Sequence, residues 1–327
     1  MRTVRRILVA VKEPQAKALP AVEKTAQLAR AFGADIELFH ALTAPIYLGL
    51  EGRENVRLAQ VENARCEQLR SRLEAIAEPI RKHGLTVTIH AERDYPSGEA
   101  IVRRAARIRA DLIVAECHAS EHRGFWPLRL TDWDLLRYSA VPVLLVKSRQ
   151  PYRHPVVLAA VDPAHAFAKT AKLDQEIVRV AMDVTKAFRG SMHAVHAYVP
   201  MPMDATGAEL LNPEATQILK ARARAHARVR LSPLLKKTRI PLTRQHFVGE
   251  HLINAIPELA QEIGCNILVM GAVSRSGFKR LFIGNTAERM LDEVRCDVLV
   301  VKPPGFVSRI ARRQRGARYV APLLLDA

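Results

Sequence analysis

The second half of the chain repeats the pattern of the first half. Residues 85–147 align with residues 240–302 without a gap, and the apolar blocks LIV and PVLLVK of the first copy coincide with ILV and DVLVVK of the second. Further upstream, AFGADIELFHA at 31–41 aligns with AFRGSMHAVHA at 187–197. A repeat of this length indicates that one structural unit is built twice. The chain is therefore predicted to fold as a tandem of two similar domains.

Each copy alternates between strands and helices. Short continuous apolar runs such as ILVAV and VVLAAV are typical of strands that are buried on both faces. Between them lie amphipathic or long helical segments, which predicts a five-stranded parallel sheet covered by helices on both faces. The third strands are predicted near 85–91 and 240–246, after long helices around 55–83 and 213–237. The predicted fold class is α/β, with two tandem doubly wound, Rossmann-like domains.

The domain boundaries follow from length and from the position of one proline-containing segment. The 327 residues are enough for two domains of about 150 residues each. The segment 148–155, SRQPYRHP, carries two prolines and is predicted to be the linker. We therefore predict domains at 1–149 and 150–303, and a basic, mobile tail at 304–327.

Composition argues against several classes of protein. No apolar run reaches the ~18 residues of a membrane span, so a transmembrane protein is not expected. The apolar stretch that follows MRTVRR is too short for a signal peptide, and a cytoplasmic protein is predicted. The four cysteines form no CxxC pair, which disfavours a zinc ribbon or a thioredoxin-type site. The formal net charge of +17 favours anionic partners in general.

Glycines and basic residues follow the fourth predicted strand of the second copy. In an open α/β sheet, ligands bind beyond the carboxyl ends of the strands, where the strand order reverses. Glycines let backbone amides approach a phosphate, and the free amides that open the next helix favour an anion. A surface turn that requires glycine is the alternative interpretation. The residues that fit a phosphate site are Gly271, Arg275, Gly277, Gly284, Asn285 and Thr286.

This loop resembles the nucleotide-binding loop of the universal stress protein family, whose pattern is G-x2-G-x9-G-[S/T]. Gly271 and Gly284 stand at the first and third glycines of that pattern. Ser274 replaces the middle glycine, and Asn285 replaces the Ser or Thr. The segments TDWDLLRYSAVPVLLVK and GNTAERMLDEVRCDVLVVKP also resemble the tandem-domain E-type subgroup of the family. The resemblance covers nearly the whole chain to about residue 303.

The resemblance also implies which copy holds a ligand. In the second copy, Asp162 would lie near the adenosine, and the backbone of Ala197 would face the adenine. The first copy has Glu116 where the second has Gly271, and it has Lys12 where the second has its strand-end acid. A carboxylate in the phosphate position repels a phosphate. The first copy is therefore predicted to be a degenerate, structural half of an intramolecular pseudo-dimer.

The predicted function is that of a non-catalytic stress-response protein. Its second domain is expected to bind ATP, with Mg, or another adenine nucleotide weakly. The alternative is an interaction or apolar-ligand module whose nucleotide site has decayed. A slow ATPase is a third and weaker option, because no general base lies beside the loop. The chain contains no nucleophile elbow, HExxH motif, kinase motif set or full P-loop.

Two further segments are strongly basic. A solvated face is expected for the helix around 215–239, and a surface for nucleic acid or an acidic partner is the alternative, although no aromatic residues are interleaved to stack on bases. That helix carries Lys220, Arg222, Arg224, Arg228, Arg230, Lys236, Lys237 and Arg239. The tail is a predicted contact for an acidic partner, nucleic acid or anionic lipid, and a homodimer is a further expectation. It carries Arg309, Arg312, Arg313, Arg315 and Arg318.

Overall fold

The described residues of the computed structural model form two compact units. The first is built from the described residues up to Cys117, from Leu130 to Pro151 and from Val307 onward. The second is built from the described residues between Tyr152 and Phe306. The structure describes residues 4–42, 45–46, 53–117, 130–163, 171–198, 213–236, 238–249, 252–272, 291–311 and 319–320.

The first unit contains a parallel sheet with helices between its strands. Its strands are β1 Arg6–Ala10, β2 Asp35–Leu42, β3 Pro45–Ile46, β4 Val87–Arg93, β5 Leu112–Glu116 and β6 Val143–Val146. Its helices are α1 Pro20–Phe32, α2 Arg53–Lys82, α3 Ser97–Ile108 and α4 Leu130–Tyr138. Five strands lie in the order β4-β2-β1-β5-β6, and every described pair is parallel. This is a doubly wound sheet, because the chain moves to one side of β1 and then to the other.

The second unit repeats this order. Its strands are β7 Val156–Val161, β8 Ser191–Tyr198, β9 Gln245–Gly249, β10 Ile267–Gly271 and β11 Asp297–Val301. Its helices are α5 Ala171–Ala187, α6 Pro213–Leu235 and α7 Leu252–Glu262. The strands lie in the order β11-β10-β7-β8-β9, again all parallel. The predicted fold class, two tandem five-stranded parallel α/β domains, is confirmed.

Burial explains why the strands are continuous apolar runs. The side chains of Leu8 in β1 and Leu158 in β7 are fully buried, because helices cover both faces of each sheet. Helix α5 is amphipathic and buries Leu173, Ile177 and Ala181 at successive turns against the sheet. Each such leucine or isoleucine contributes about 1.5–3 kcal/mol through burial.

Two boundaries differ from the predictions. The third strand of the second unit is β9, so it begins later than the predicted 240–246. A short 3-10 turn at Leu242–Arg244 precedes it, with Pro241 at its amino end. In the tail, Tyr319–Val320 forms a two-residue strand, β12, which pairs in parallel with β3 of the same unit. The sequence indicates no strand at β3 or at β12.

The predicted linker carries one buried aromatic residue. Tyr152 is buried, and its hydroxyl donates a hydrogen bond of 2.5 Å to Oδ2 of the buried Asp297 at the start of β11. Burial, and then the negative charge of Asp297, raise the pKa of Tyr152 well above its ordinary value. The ring also packs edge-to-face on Phe188, with 5.5 Å between centroids. These contacts tie the end of the linker to the second unit.

Equivalent histidines in the two units have the same structural role. Nδ1 of His40 in β2 lies 2.7 Å from the carbonyl oxygen of Val11, and Nδ1 of His196 in β8 lies 3.2 Å from that of Val161. Each ring therefore contacts the backbone at the end of the neighbouring first strand of its unit. Their recurrence in the sequence reflects this shared architecture.

A buried arginine joins α3 to the end of β4. Arg103 and Asp94 have fully buried side chains. They form two parallel hydrogen bonds, of 2.7 Å from Nε and 2.8 Å from Nη2. Nη1 of Arg103 also contacts Glu99 at 3.0 Å. This fork-to-carboxylate geometry is the strongest form of protein ion pair.

Two other histidines, one on β8 and one on β9, contact each other. Nδ1 of His193 is 2.9 Å from Nε2 of His246, and the rings are stacked. The pKa of His193 is lowered by burial and then by the positive charges of His246 and Arg244. The pKa of His246 is lowered by burial, which the charge of Glu262 partly opposes. The pair is therefore most stable when uncharged.

We expect the second unit to lose stability as the pH falls below 6.5. The unfolded chain takes up protons at the ordinary histidine value of 6.5, whereas the folded pair resists them until the pH is lower. Calorimetry at pH 7.5 and 5.5 should show this as a fall in the melting temperature, to which Lys302 also contributes because its pKa of about 7 lies in the same range. His246→Gln should remove the part of that fall that comes from the histidine pair. His226→Gln on the exposed face of α6 should retain it, and equal falls in both variants would contradict the assignment.

Candidate functional site

Three of the predicted site residues lie at the carboxyl ends of adjacent strands. Gly271 is the last residue of β10, Asp162 directly follows β7, and Ala197 lies near the end of β8. Val161 is in register with His196, so Asp162 and Ala197 lie side by side. Val269 is in register with Ala159, so Gly271 reaches nearly the same level. Neighbouring strands are about 4.8 Å apart, which brings the three residues onto one short edge.

This edge is the point where the strand order of the second unit reverses. The chain leaves β7 toward β8 and β9, and it later returns to the other side of β7 to form β10 and β11. The connections therefore diverge between β7 and β10, which leaves a crevice beyond their carboxyl ends. Asp162 and Gly271 flank that crevice.

Asp162 is positioned by a residue that the sequence patterns did not identify. Its backbone N–H donates a hydrogen bond of 3.0 Å to Oδ1 of Asp174, a buried residue in the first turn of α5. The backbone at the end of β7 is thereby fixed to α5, while the side chain of Asp162 stays half-exposed. An aspartate that opens a helix was the available signal, but its partner could not be read from the sequence.

Gly271 is in close contact with α5. A Cβ atom at this position would lie 2.7 Å from Cδ2 of Leu173 and 3.1 Å from Cδ1 of Ile177. Any side chain would therefore have to displace Leu173, which is fully buried. The glycine lets Leu173 and Ile177 of α5 occupy the space that a side chain at this strand end would fill. Packing alone is sufficient to require glycine here.

The equivalent edge of the first unit is occupied by its own charged side chains. Lys12, after β1, forms an ion pair with Oδ1 of the buried Asp132 in α4. Burial raises the pKa of Glu116 at the end of β5, although a hydrogen bond from the backbone of Ala21 in α1 and the charges of Arg149 and Lys12 act in the opposite direction. A carboxylate therefore already contacts the first turn of α1 in this unit.

The remaining predicted site residues lie outside the described residues. They are Arg275, Gly277, Gly284, Asn285 and Thr286. Among the residues that the structure describes, no group of three or more His, Cys, Asp or Glu side chains is arranged to hold a metal ion.

A buried lysine follows the last strand of the second unit. Lys302 is only 6% exposed, and burial lowers the pKa of its ammonium group to about 7. The Nζ atom lies 5.0 Å from the centre of the Phe306 ring. The corresponding residue of the first unit, Lys147, is also buried after β6. The repeat thus places a buried lysine after the last strand of each sheet.

A separate cavity of about 410 Å³ lies at the opposite edge of the second sheet. Its lining includes Cys265 and Cys296, which precede β10 and β11, together with Glu258 and Arg295. Both thiols are outside any disulfide. Because the cavity lies at the amino ends of the strands, it is distinct from the crevice beside Asp162.

The described helices include none that is long and apolar enough to cross a lipid bilayer. The described strands belong to the parallel sheets of the two units or to the short β3–β12 pair.

Comparison with solved structures supports the tandem architecture. A functionally unknown protein from Pseudomonas aeruginosa PAO1 superposes with a TM-score of 0.70 at 22% identity, over 92% of this chain and 94% of that one. A universal stress protein from Archaeoglobus fulgidus DSM 4304 superposes with a TM-score of 0.64 at 16% identity, over 92% and 99%. At these identities the similarity shows a shared fold.

Comparison of sequences identifies the family. Universal stress protein E of Escherichia coli K12 is 31% identical over 215 residues, which are 64% of this chain and 66% of that protein. The chain thus spans just under two thirds of the length of that relative. The homolog from Haemophilus influenzae is 29% identical over 175 residues, 53% and 55% of the two chains. The family model of the universal stress proteins matches residues 3–147 and again residues 157–302. Both repeats are therefore matched, the resemblance to the tandem E-type proteins is confirmed, and the chain belongs to the universal stress protein family.

Proposed function

We propose that this stress-response protein binds ATP or another adenine nucleotide weakly, and without hydrolysing it, in its second unit. The observation that carries the proposal is the meeting of Asp162, Ala197 and Gly271 on one strand edge where the strand order reverses. Ligands of open α/β sheets bind at such an edge. Membership of the universal stress protein family supports the same position.

Each of the three residues has a role that suits its surroundings. The half-exposed carboxylate of Asp162 accepts hydrogen bonds from ribose hydroxyls, and Asp174 holds the adjoining backbone in place. The backbone of Ala197 faces the adenine. Gly271 ends β10 under close contact with α5, and the loop that we assign to the phosphates begins directly after it.

The phosphates complete the proposed site. We assign them to the loop after β10, where glycine amides and basic side chains favour an anion. The residues of this part of the proposal are Arg275, Gly277, Gly284, Asn285 and Thr286. When Mg²⁺ accompanies the nucleotide, its usual ligands are phosphate oxygens and water, with few protein carboxylates.

The first unit is proposed to be the half that binds no nucleotide. Glu116 puts a carboxylate at the strand end where the second unit has Gly271, and Lys12 is engaged with Asp132. An incoming phosphate would meet a negative charge that already has a backbone partner in α1. One nucleotide per chain is therefore the expected stoichiometry.

Calorimetric titration with ATP and MgCl₂ tests the proposal. We expect one site per chain with a dissociation constant between about 10 µM and 1 mM, and no release of inorganic phosphate. Asp162→Ala should weaken binding about tenfold or more, because it removes hydrogen bonds to a charged acceptor. Its melting temperature without nucleotide should stay unchanged, since the bond from Asp162 to Asp174 uses only the backbone amide.

Glu258→Ala on α7 is the matched control, because it removes an exposed carboxylate beside the opposite edge of the sheet. It should bind ATP like the parent. Equal affinity of the Asp162→Ala variant and the parent would refute the assigned site. Absence of heat with the parent, together with an apolar molecule found by native mass spectrometry, would favour the alternative of an apolar-ligand module.

A further inference from the structure

After Glu214 in its first turn, helix α6 of the second unit carries only basic charged residues. Between residues 215 and 249 the chain has nine lysines and arginines and no aspartate or glutamate. The nine are Lys220, Arg222, Arg224, Arg228, Arg230, Lys236, Lys237, Arg239 and Arg244. The equivalent helix of the first unit shows whether the fold itself requires such a concentration of positive charge.

Helix α2 occupies the same place in the first unit and has a balanced charge. It carries seven basic and five acidic residues. Several of them are paired on its surface, as in Arg70 with Glu67, Lys82 with Glu78 and Arg81 with Glu74. The fold therefore does not require such an excess of basic residues at this position. The charge of α6 is a property of the second unit alone.

The basic side chains of α6 face solvent. Arg222, Arg224, Arg228 and Arg230 are all exposed. The apolar face of the helix is used against its own sheet, where Ala227, Leu231 and Leu235 are buried. Lys236 and Arg244 extend the exposed charge beyond the end of the helix. From Arg222 to Lys236 the basic residues extend over about 21 Å along the helix axis, and they lie on more than one side of the helix, because each residue is rotated by about 100° from the one before it.

We propose that this surface binds the phosphodiester backbone of double-stranded nucleic acid. A length of about 21 Å along the helix axis corresponds to roughly six phosphates of one strand at 3.4 Å along the duplex axis, and the side chains on the solvent side of α6 are the ones that can contact them. Arginine is suited to phosphate because its planar fork donates two parallel hydrogen bonds. The binding is independent of base sequence, because phosphate contacts carry no direct base information.

The same surface is poorly suited to other polyanions. An anionic bilayer is bound by a helix with a continuous apolar face, but that face of α6 is buried against the sheet. The exposed aliphatic residues Ile218 and Val229 lie about three turns apart and do not form such a face. Single-stranded nucleic acid is gripped by aromatic platforms. The aromatic ring of Phe247 in β9 lies beneath the guanidinium of Arg228, with 5.8 Å from the guanidinium carbon to the ring centre.

Fluorescence anisotropy with a labelled 24-base-pair duplex tests the proposal on the full chain, with the salt concentration varied from about 50 to 250 mM. The test variant replaces Arg222, Arg224, Arg228 and Arg230 with glutamine. The matched control replaces four exposed residues of α2, Arg65, Arg70, Arg72 and Lys82, with glutamine, so both variants lose the same formal charge. Glutamine has a helix propensity close to that of arginine, and circular dichroism of both variants should match that of the parent.

We expect the α6 variant to bind at least tenfold more weakly at about 50 mM salt. The slope of log K against log salt should become shallower by up to about 3.6, because each of the four arginines that contacts a phosphate accounts for about 0.9. The α2 variant should stay within about threefold of the parent. Equal weakening of both variants would reduce the effect to net charge and overturn the proposal.

Three other outcomes also overturn it. In the first, the parent chain fails to bind the duplex at low salt. In the second, the α6 variant binds the duplex as tightly as the parent, which would assign binding to the tail. In the third, vesicles containing phosphatidylserine or a poly-glutamate peptide bind through α6 while the duplex does not. These results are independent of the ATP titration, because the residues near Asp162 are unchanged in both variants.

Discussion

Arg103→Ala is expected to lower the free energy of unfolding of the first unit by about 3–5 kcal/mol. The substitution leaves the carboxylate of Asp94 fully buried without the two hydrogen bonds that now offset its desolvation. It also removes the contact to Glu99. For a domain of this size the melting temperature should fall by roughly 10 °C. Calorimetry of the full chain measures this shift.

Arg70→Ala on α2 is the control for this prediction. It breaks the ion pair with Glu67, but both side chains are about half exposed or more, so the cost should stay below about 1 kcal/mol. The double substitution Asp94→Leu and Arg103→Met should recover part of the loss, because a buried ion pair and an apolar pair of similar volume have comparable stability. A shift as small for Arg103→Ala as for Arg70→Ala would contradict the role of the cluster.

Lys302→Met is expected to stabilise the second unit by about 4 kcal/mol at pH 7. The pKa of Lys302 falls from its ordinary value of 10.5 to about 7 because the ammonium group is buried. At pH 7 the unfolded chain binds a proton at this residue that the folded chain holds only half the time. Methionine fills a similar volume with no charge to desolvate.

The sign of this effect changes with pH in a defined way. A lowered lysine pKa costs stability below the folded value of about 7, and the cost disappears as the pH rises toward 10.5. The advantage of Lys302→Met should therefore shrink to about 2 kcal/mol at pH 9. Lys302→Arg keeps a permanent charge and should be less stable than the parent at both pH values. Melting temperatures that do not converge between pH 7 and pH 9 would contradict the assignment.

The sheet could be predicted from the sequence because each buried strand is marked by its own short run of apolar residues. A strand covered by helices on both faces must be apolar at every position, as in Leu158 and its neighbours, and such runs are visible without a structure. The duplication then fixed the equivalence of the two units. The predicted strand at 240–246 was placed too early, because Ile240 and Leu242 are apolar residues at alternate positions, which is the pattern of a half-buried strand. In the structure Leu242 is 66% exposed and lies in a turn that follows Pro241.

The candidate site could be predicted in part. The positions of Asp162 and Gly271 follow from strand ends, which the repeat locates within one or two residues. The contacts that shape the edge could not be predicted, because they join residues far apart in the chain. Lys12 with Asp132 and Leu173 against Gly271 are of this kind. Only the packed helices reveal that Gly271 is required for close approach.

The hydrogen bond from Tyr152 to Asp297 has a practical consequence for expressing the second unit as a separate fragment. The boundary that composition suggests, around the prolines of residues 148–155, passes through a segment that already belongs to the interior of the second unit. A fragment that starts at Arg153 would expose Phe188 and leave the carboxylate of Asp297 without its phenol. A separately expressed carboxyl-terminal half should therefore start before Tyr152, and its solubility will depend on that single aromatic ring more than on the prolines beside it.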